Sequence, residues 1–492
     1  MSWKAAADAV RWNIQPFIDG CYRQSDAEDR VVNTNPATEA ALCSFSIGSA
    51  ADVDEAVRVA RKRFESGCWS GLPASRRADV LRKLADLIVK HQSELALLDT
   101  LEMGKPIQAA LRDVVSMAAT RLISCAGAIE NFFGESASLQ TGALSFNVYQ
   151  PRGVVGAITP WNFPTVNAVI KLAPALAAGN AIVLKPSELT PSSALKLAEL
   201  ACEAGLPLGI FNVVPGLGST VGAALAEHPE IDLLSFTGST LTGRKLLELS
   251  GRSNGKPVLL ECGGKSPQVV FEDASDLDRV ADATVESVLW NQGQVCSART
   301  RLLVHSSIKN ALLGKIIDRA RRYEPGDPLM DATTFGPLAS PMQRDRVKSY
   351  VQQGIKAGAA AVLKGSIQET GGCYVSPTIF DRVESHMSIA REEIFGPVLC
   401  VQSFDTEHQA LTLANGTEYG LAATVWTQDL GRGRRLAQAI KAGDVQIRTS
   451  RDGAAGVSMS HEPQKASGFG SETGLKGLQS YSTLKAVTFT GA

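Results

Sequence analysis

Short, unbroken apolar runs alternating with helical stretches constrain this chain more than any other feature. From Gly153 the order is VVGAI, a helix over Ala168–Ala178, AIVLK, a helix over Ser192–Ala204, then FNVV and IDLLSF with helices between. Runs this short and continuous, separated by helices, indicate parallel strands covered on both faces. A second series of the same kind follows Glu261: QVVF, a helix from Leu277, RLLVH, a helix from Ile308, then VLCVQSF and ATVWT. The expectation is an α/β protein. No internal repeat and no low-complexity linker divides the two series, so a boundary near Glu261–Gly264 rests on where the motifs fall.

At 492 residues the chain is too long for one ordinary core, and two or three domains are expected. A hydrophobic fraction of 44% with 20% charged residues describes a soluble globular protein. The formal net charge of -1 supplies neither a basic field for nucleic acid nor a polybasic membrane patch. Nine cysteines without regular short spacing form neither a zinc motif nor a disulfide framework, and they suit a reducing compartment. The N-terminus, MSWKAAADAVRW, lacks the apolar core of a signal peptide, and no run reaches transmembrane length. The expectation is a cytoplasmic protein with no metal, no nucleic acid and no membrane partner.

The first third reads as packing elements. Phe17–Cys43 suits short strands and turns, and the pattern turns helical from Ser49, with Asp52 and Asp54 near the helix start. Ser75 is expected to cap a second helix, whose Val80, Leu81, Leu84, Leu87 and Ile88 form one apolar face. Further helix is expected over Leu95–Met103 and Ile107–Phe133. The alternation in ALSFNVY, within Ser136–Gln150, predicts an exposed strand pair, of which a surface hairpin is the plain form.

Chemistry gathers around LWNQGQVCSAR, Leu289–Arg299. The apolar helical run Val280–Leu289 breaks at Asn291–Gly293, so Cys296 falls just beyond a packed element. Its neighbours Ser297 and Ala298 are small enough for close approach of a substrate. A lone cysteine is more often a buried, inert residue. Three other strings set Cys296 apart: LLECGGKSP with Glu261, PWNFP with Asn162, and the glycine-bearing FTGSTLTG. Together these strings resemble the aldehyde dehydrogenase superfamily, from about Phe17 to near the C-terminus.

The resemblance implies an aldehyde dehydrogenase-like α/β fold: a Rossmann-type cofactor domain over 1–132 and 152–261, and a second α/β catalytic domain over 262–466. A small β oligomerisation segment is implied over 133–151 and 475–492, in a homodimer or homotetramer. It further implies NAD-dependent oxidation of a small-molecule aldehyde to a carboxylic acid. Cys296 would add as thiolate to give a thiohemiacetal, and loss of hydride would give a thioester. The Asn162 amide and the Cys296 N–H would hold the oxyanion, and Glu261 would be the general base for hydrolysis. Lys171 and Glu472 match positions proposed in the family to relay protons from that base.

For the cofactor, PGLGSTVG offers Gly216, Gly218 and Gly222 before a helix, at a spacing that departs from GxGxxG. In FTGSTLTG, Gly238 lets the backbone turn close to a phosphate, Ser239 can donate a hydrogen bond, and the following helix offers free N–H groups. In KPSE, Lys185 and Glu188 form either a solvated ion pair or, as the resemblance implies, a clasp on the adenosine ribose. A carboxylate there opposes a 2′-phosphate, which favours NAD over NADP. Glu393 and Phe395, in REEIFGPV, match family positions at the nicotinamide ribose and ring. Ile158 and Trp161 match positions beside the cofactor; for such apolar residues core packing is the plain alternative.

Departures from the family pattern cluster where the substrate enters. The strand GDVQIR carries Gln446 and Arg448 where an aromatic residue and an asparagine are common. Ser460-His461-Glu462-Pro463 replaces the usual PFGG, and Ile170 replaces an aromatic residue before Lys171. These changes argue against the usual aromatic substrate cage. Arg448 is placed to pair with a carboxylate-bearing substrate, or else with Glu462 or Asp444. The strings FNVVPGLG, FTGSTLTGRKLL and WNQGQVCSARTRLLVH look most like bacterial aminoaldehyde dehydrogenases, including γ-glutamylaminobutyraldehyde types. A CoA-acylating relative would typically lack the glutamate at 261. A catalytically silent scaffold or binding protein on the same fold is the remaining alternative, against which the retained Cys296, Glu261 and Asn162 argue.

Overall fold

A computed structural model describes residues 2–25, 29–137, 143–449 and 459–490. The first series forms β1 (Val154–Ile158), α1 (Pro164–Ala177), β2 (Ala181–Lys185), β3 (Phe211–Val213), β4 (Leu233–Thr237), α2 (Thr240–Arg252) and β5 (Val258–Glu261). These five strands are parallel, in the spatial order β3-β2-β1-β4-β5. Every residue of β1 and β2 is buried, which is why they read as continuous apolar runs. The strand order reverses direction between β1 and β4, and such a switch point opens a crevice beyond the C-terminal strand ends. Ile158 lies opposite Lys185 and Phe236, and Thr237 opposite Glu261. Pairing register alone therefore sets Ile158, Lys185 and Glu261 along one sheet edge.

The second series forms β6 (Pro267–Val270), α3 (Leu277–Leu289), β7 (Arg301–His305), α4 (Pro341–Lys356), β8 (Thr378–Asp381), β9 (Val398–Phe404), β10 (Ala422–Trp426) and β11 (Asp444–Arg448). Their order is β8-β9-β7-β6-β10-β11, all parallel, with Ala360–Leu363 antiparallel at the β8 edge. The chain then returns to the first sheet, where Gly468–Phe469 pairs with β5.

The ALSFNVY alternation finds its partner at the far end of the chain. Ala143–Pro151 pairs antiparallel with Ser482–Thr490 along its whole length, and on its other side Phe146 makes a local antiparallel bridge with Ser136. Leu144, Leu484 and Phe489 of this ribbon are exposed, and the Phe489 ring stacks on Phe146 at 6.0 Å. Residues 138–142 and 491–492 of the segment assigned to oligomerisation lie outside the described residues.

Several helix boundaries differ from expectation for local reasons. The helix expected from Ser75 starts at Ala74, with Pro73 at its cap and no side-chain cap bond. The helix expected to reach Phe133 ends at Ile129, and its middle, Val114–Ala119, widens into a π turn. α1 begins at Pro164, four residues before the expected Ala168, because proline suits a first helical position. That early start places Asn162 just ahead of a helix N-terminus. No helix among the described residues is long and apolar enough to cross a membrane, and all nine cysteines are free thiols.

Candidate active site

Beyond α3 the chain reverses sharply, and Asn291, Gln292 and Gly293 all take positive φ, at 50°, 58° and 73°. Left-handed backbone at two successive non-glycine residues is costly and persists only where the surroundings hold it. Side-chain amides do the holding. Asn291 Nδ2 donates to the Asn162 carbonyl at 2.8 Å, Gln294 Nε2 donates to Asn291 O at 3.2 Å, and Gln294 Oε1 accepts from Ala339 N at 2.9 Å. A Cβ on Gly293 would lie 2.3 Å from the Gly396 carbonyl oxygen, and one on Gly264 would lie 2.4 Å from that of Cys296. Clamped in this way, the loop sets Cys296 in the wall of a cavity of about 340 Å³.

The Cys296 thiol is pushed up to about 12, first by burial and then by the Glu393 and Glu261 carboxylates; the N–H groups of Ser297 and Cys296 pull the other way. Asn162 occupies the loop after β1 and lines the same cavity. Its Nδ2 donates to the Gln294 carbonyl at 2.9 Å, and its Oδ1 accepts from Asn167 Nδ2 at 3.1 Å. These bonds leave the second Nδ2 hydrogen without a partner among the described residues.

Glu261 ends β5 and faces the cavity. Its carboxyl is pushed up to about 8, chiefly by burial and then by Glu472, while Lys171 pulls it down. Lys171 and Glu472 are buried behind the cavity wall, with Nζ donating to Oε2 at 2.6 Å. Glu472 Oε1 also accepts from Ser235 Oγ at 2.5 Å and from Tyr481 OH at 2.9 Å. Ser235 and Tyr481 were not among the sequence candidates; a serine in the run LLSF and a tyrosine near the C-terminus carry no local signal.

The cofactor candidates divide into two groups. Trp161, Gly238, Ser239, Glu393 and Phe395 line the Cys296 cavity. Ile158, Lys185, Glu188 and Gly218 lie off it, toward the other strand ends of the same sheet. Lys185 Nζ is buried and meets Glu188 Oε2 at 3.0 Å, while the Glu188 side chain stays 35% exposed. A Cβ on Gly218 would meet nothing within 4 Å, so the space before the helix Ala223–Glu227 is open to a ligand. At Gly238 a Cβ would strike the Phe236 ring at 2.4 Å. Ser239 caps α2, its Oγ accepting from Thr242 N at 3.2 Å and standing 2.9 Å from Thr242 Oγ1. The Ser239 oxygen thus serves the helix, whereas the sequence pointed only to its donor.

Phe395 takes a φ of 61° and meets Trp161 edge to face at 5.3 Å. From α4, Gln343 Nε2 donates to Phe395 O at 2.6 Å and Arg346 Nη2 to Glu393 O at 2.6 Å. Glu393 Oε1 accepts from Gly264 N at 3.0 Å, yet burial pushes its carboxyl up to about 7. Gln343 and Arg346 went unread in the sequence, since an amphipathic helix offers many such polar residues.

The entrance differs from expectation. Arg448 lies outside the cavity lining, donates to Gln446 Oε1 at 3.2 Å and sits over the Trp426 ring at 5.6 Å. Neither expected ion pair of Arg448 forms: Asp444 is taken by Arg299 at 3.3 Å, and Glu462 faces Lys476 at 3.8 Å. His461 is half-buried, and Ile170 lines the cavity where an aromatic residue is common. Residues 450–458 lie outside the described residues.

A nucleotide-type crevice opening onto a cysteine, an amide and a carboxyl is the equipment of a cysteine-dependent oxidoreductase. The chain belongs to the aldehyde dehydrogenase family, which matches residues 22–487. It is 44% identical over 485 residues to the NADP/NAD-dependent aldehyde dehydrogenase PuuC of Escherichia coli (strain K12), covering 99% of this chain and 97% of that protein. It is 43% identical over 455 residues to the aminoacetaldehyde dehydrogenase of Pseudomonas aeruginosa, covering 92% and 91%. Among solved structures, the indole-3-acetaldehyde dehydrogenase AldA of P. syringae, in complex with NAD+ and IAA, matches with a TM-score of 0.96 at 42% identity over 99% of each chain. The fold implied by the sequence resemblance is the fold of the family.

The clamped loop yields a test. Gly293→Ala combines a left-handed φ with a backbone clash, and is expected to destabilise the protein by about 1–3 kcal/mol or more. Calorimetry would show a lowered Tm, and an unchanged Tm would mean that the loop is not held as described.

Proposed function

We propose that this protein oxidises an aldehyde to the free carboxylic acid with NAD, using Cys296 as nucleophile, Asn162 as oxyanion donor and Glu261 as general base. The convergence of these three side chains on one cavity at the switch-point crevice supports the reading most directly. Cys296 Sγ adds to the carbonyl carbon as its proton leaves to ionised Glu261 or to water. The oxyanion so formed is held by the unpartnered Nδ2 hydrogen of Asn162 and the Cys296 N–H. Bound NAD would supply the hydride acceptor that turns the thiohemiacetal into a thioester. Ionised Glu261 then takes a proton from water as the water oxygen attacks the thioester carbonyl; the C–S bond breaks and the acid departs. Lys171 and Glu472 carry the proton of Glu261 away, with Ser235 and Tyr481 fixing the Glu472 carboxylate.

The cofactor residues fit NAD. Half-buried Glu188 can accept from ribose hydroxyls and would repel a 2′-phosphate. The open space at Gly218 and the start of α2 suit the pyrophosphate, and Phe395 against Trp161 suits the nicotinamide end. The P. syringae relative in complex with NAD+ supports the same choice. Glu261 favours water over CoA as acyl acceptor. An amino-bearing aldehyde is the favoured substrate: the P. aeruginosa relative is named for aminoacetaldehyde, and Arg448 stands away from the cavity where a substrate carboxylate would need it. The exposed apolar residues of the Ala143–Pro151 and Ser482–Thr490 ribbon support homodimer or homotetramer formation there, and nine free thiols support a reducing, cytoplasmic setting.

Cys296→Ala is expected to abolish NADH formation while NAD binding, followed by calorimetry, stays intact; wild-type turnover would sink the mechanism. Glu261→Gln is expected to give an initial burst of NADH and then a steady state slowed by roughly 10²–10⁴-fold. Loss of the burst itself would move Glu261 to an earlier step. Because the Glu261 carboxyl is raised to about 8, its ionised form accumulates as pH rises through that value. Where hydrolysis limits turnover, kcat is therefore expected to climb from about pH 7 to about pH 9. A kcat that falls over that range would contradict the assignment.

A further inference from the structure

α1 turns Val166, Asn167 and Ile170 toward the Cys296 cavity. Val166 and Ile170 are apolar, and so is Met117, which the π turn presents from the facing helix. Asn167 is out of place among them. It is 9% exposed, and asparagine is a poor helix former whose buried amide is costly unless bonded.

Its hydrogen bonds give it a direction. The Gln294 backbone carbonyl can only accept, so the Asn162 amide must turn Nδ2 toward it and Oδ1 toward Asn167. Asn167 must in turn present Nδ2, which donates to Asn162 Oδ1 at 3.1 Å. The Asn167 Oδ1 is left on the other side of its amide. It has no partner among the described residues, and it is not one of the sealed, unpartnered atoms of the interior. An open acceptor on the wall of the substrate cavity is the result.

We propose that Asn167 is both a positioning and a specificity residue. Its Nδ2 holds the Asn162 amide in the orientation that offers N–H to the oxyanion. Its Oδ1 accepts a hydrogen bond from an N–H carried on the aldehyde's chain, so the site selects amino-bearing aldehydes over alkyl aldehydes of equal length. The inference rests on the aldehyde oxidation proposed above. The selectivity follows from the cost of the alternative, since an alkyl chain would cover the Asn167 oxygen and leave it unpaired.

The test measures kcat and kcat/KM for 3-aminopropanal and butanal with NAD, in the wild type, Asn167→Leu and Asn167→Asp. Butanal oxidation by the wild type reports the chemistry alone, so its absence would count against the proposed function rather than against Asn167. Asn167→Leu removes both groups: the aminopropanal-to-butanal ratio of kcat/KM is expected to fall by roughly tenfold or more, and kcat for butanal to fall as well. Asn167→Asp keeps an acceptor facing the cavity but, ionised, has no proton for Asn162 Oδ1. It is expected to lower kcat for butanal while the ratio stays at or rises above the wild-type value, because a carboxylate pairs more strongly with an ammonium group than an amide oxygen does. The ratio compares two substrates on one preparation, so partial misfolding leaves it unchanged. A ratio within about twofold of wild type in Asn167→Leu would overturn the specificity role, and unchanged butanal kcat in both variants would overturn the positioning role.

Discussion

The amide stitching between two loops is the constraint on which this site depends. The Asn162 loop extends from the first sheet, whereas the Cys296 loop precedes the first residues of β7 in the second. Asn162 Nδ2 on the Gln294 carbonyl and Asn291 Nδ2 on the Asn162 carbonyl tie them together within 2.9 Å. Each such bond contributes about 1 kcal/mol net, but leaving a buried partner unpaired costs about 1–3 kcal/mol, so the set resists piecemeal loosening. The Asn162 loop is braced from behind as well. Lys105 Nζ lies 3.6 Å from the centre of the Phe163 ring while pairing with Asp113 at 2.7 Å. The Asn162 amide and the Cys296 loop, on separate units, are thereby held in one geometry.

Electrostatics around the cavity favour neutral groups at rest. Burial raises the Cys296 thiol and the Glu261 and Glu393 carboxyls together, and ionised carboxylates oppose a thiolate. Charge is concentrated one layer further back, in the Lys171–Glu472 pair. That pair is tied by Tyr481 to the beginning of the C-terminal strand, whose partner is Ala143–Pro151. The Lys171–Glu472 pair is therefore hydrogen-bonded to the residue just ahead of the ribbon's C-terminal strand.

Strings with a short-range signature were legible. VVGAI and AIVLK announced buried parallel strands, and CSAR, LLECGG and PWNFP pointed to Cys296, Glu261 and Asn162. Neither ion pair expected of Arg448 forms, because a sequence gives a charge but not its neighbours: Arg299 already holds Asp444, and Lys476 faces Glu462. Gln343 and Arg346 stayed hidden because they act on backbone carbonyls, and Ser235 and Tyr481 because they meet each other across 246 residues of chain. NQGQ, with three amides in four residues beside a cysteine, carried an unread signal, as did Asn167 within an otherwise apolar helical face.

By itself the sequence determined what depends on local pattern: alternating buried strands and helices, the break that frees Cys296 from α3, and the residue types needed for acyl chemistry. Hydrophobic periodicity and turn preference are short-range, so they survive in a linear reading. Only the tertiary structure decided which way each amide faces, how far the thiol and carboxyls are driven toward their neutral forms, and which residues line the cavity. Those properties come from desolvation and from donors and acceptors that folding brings together from distant parts of the chain.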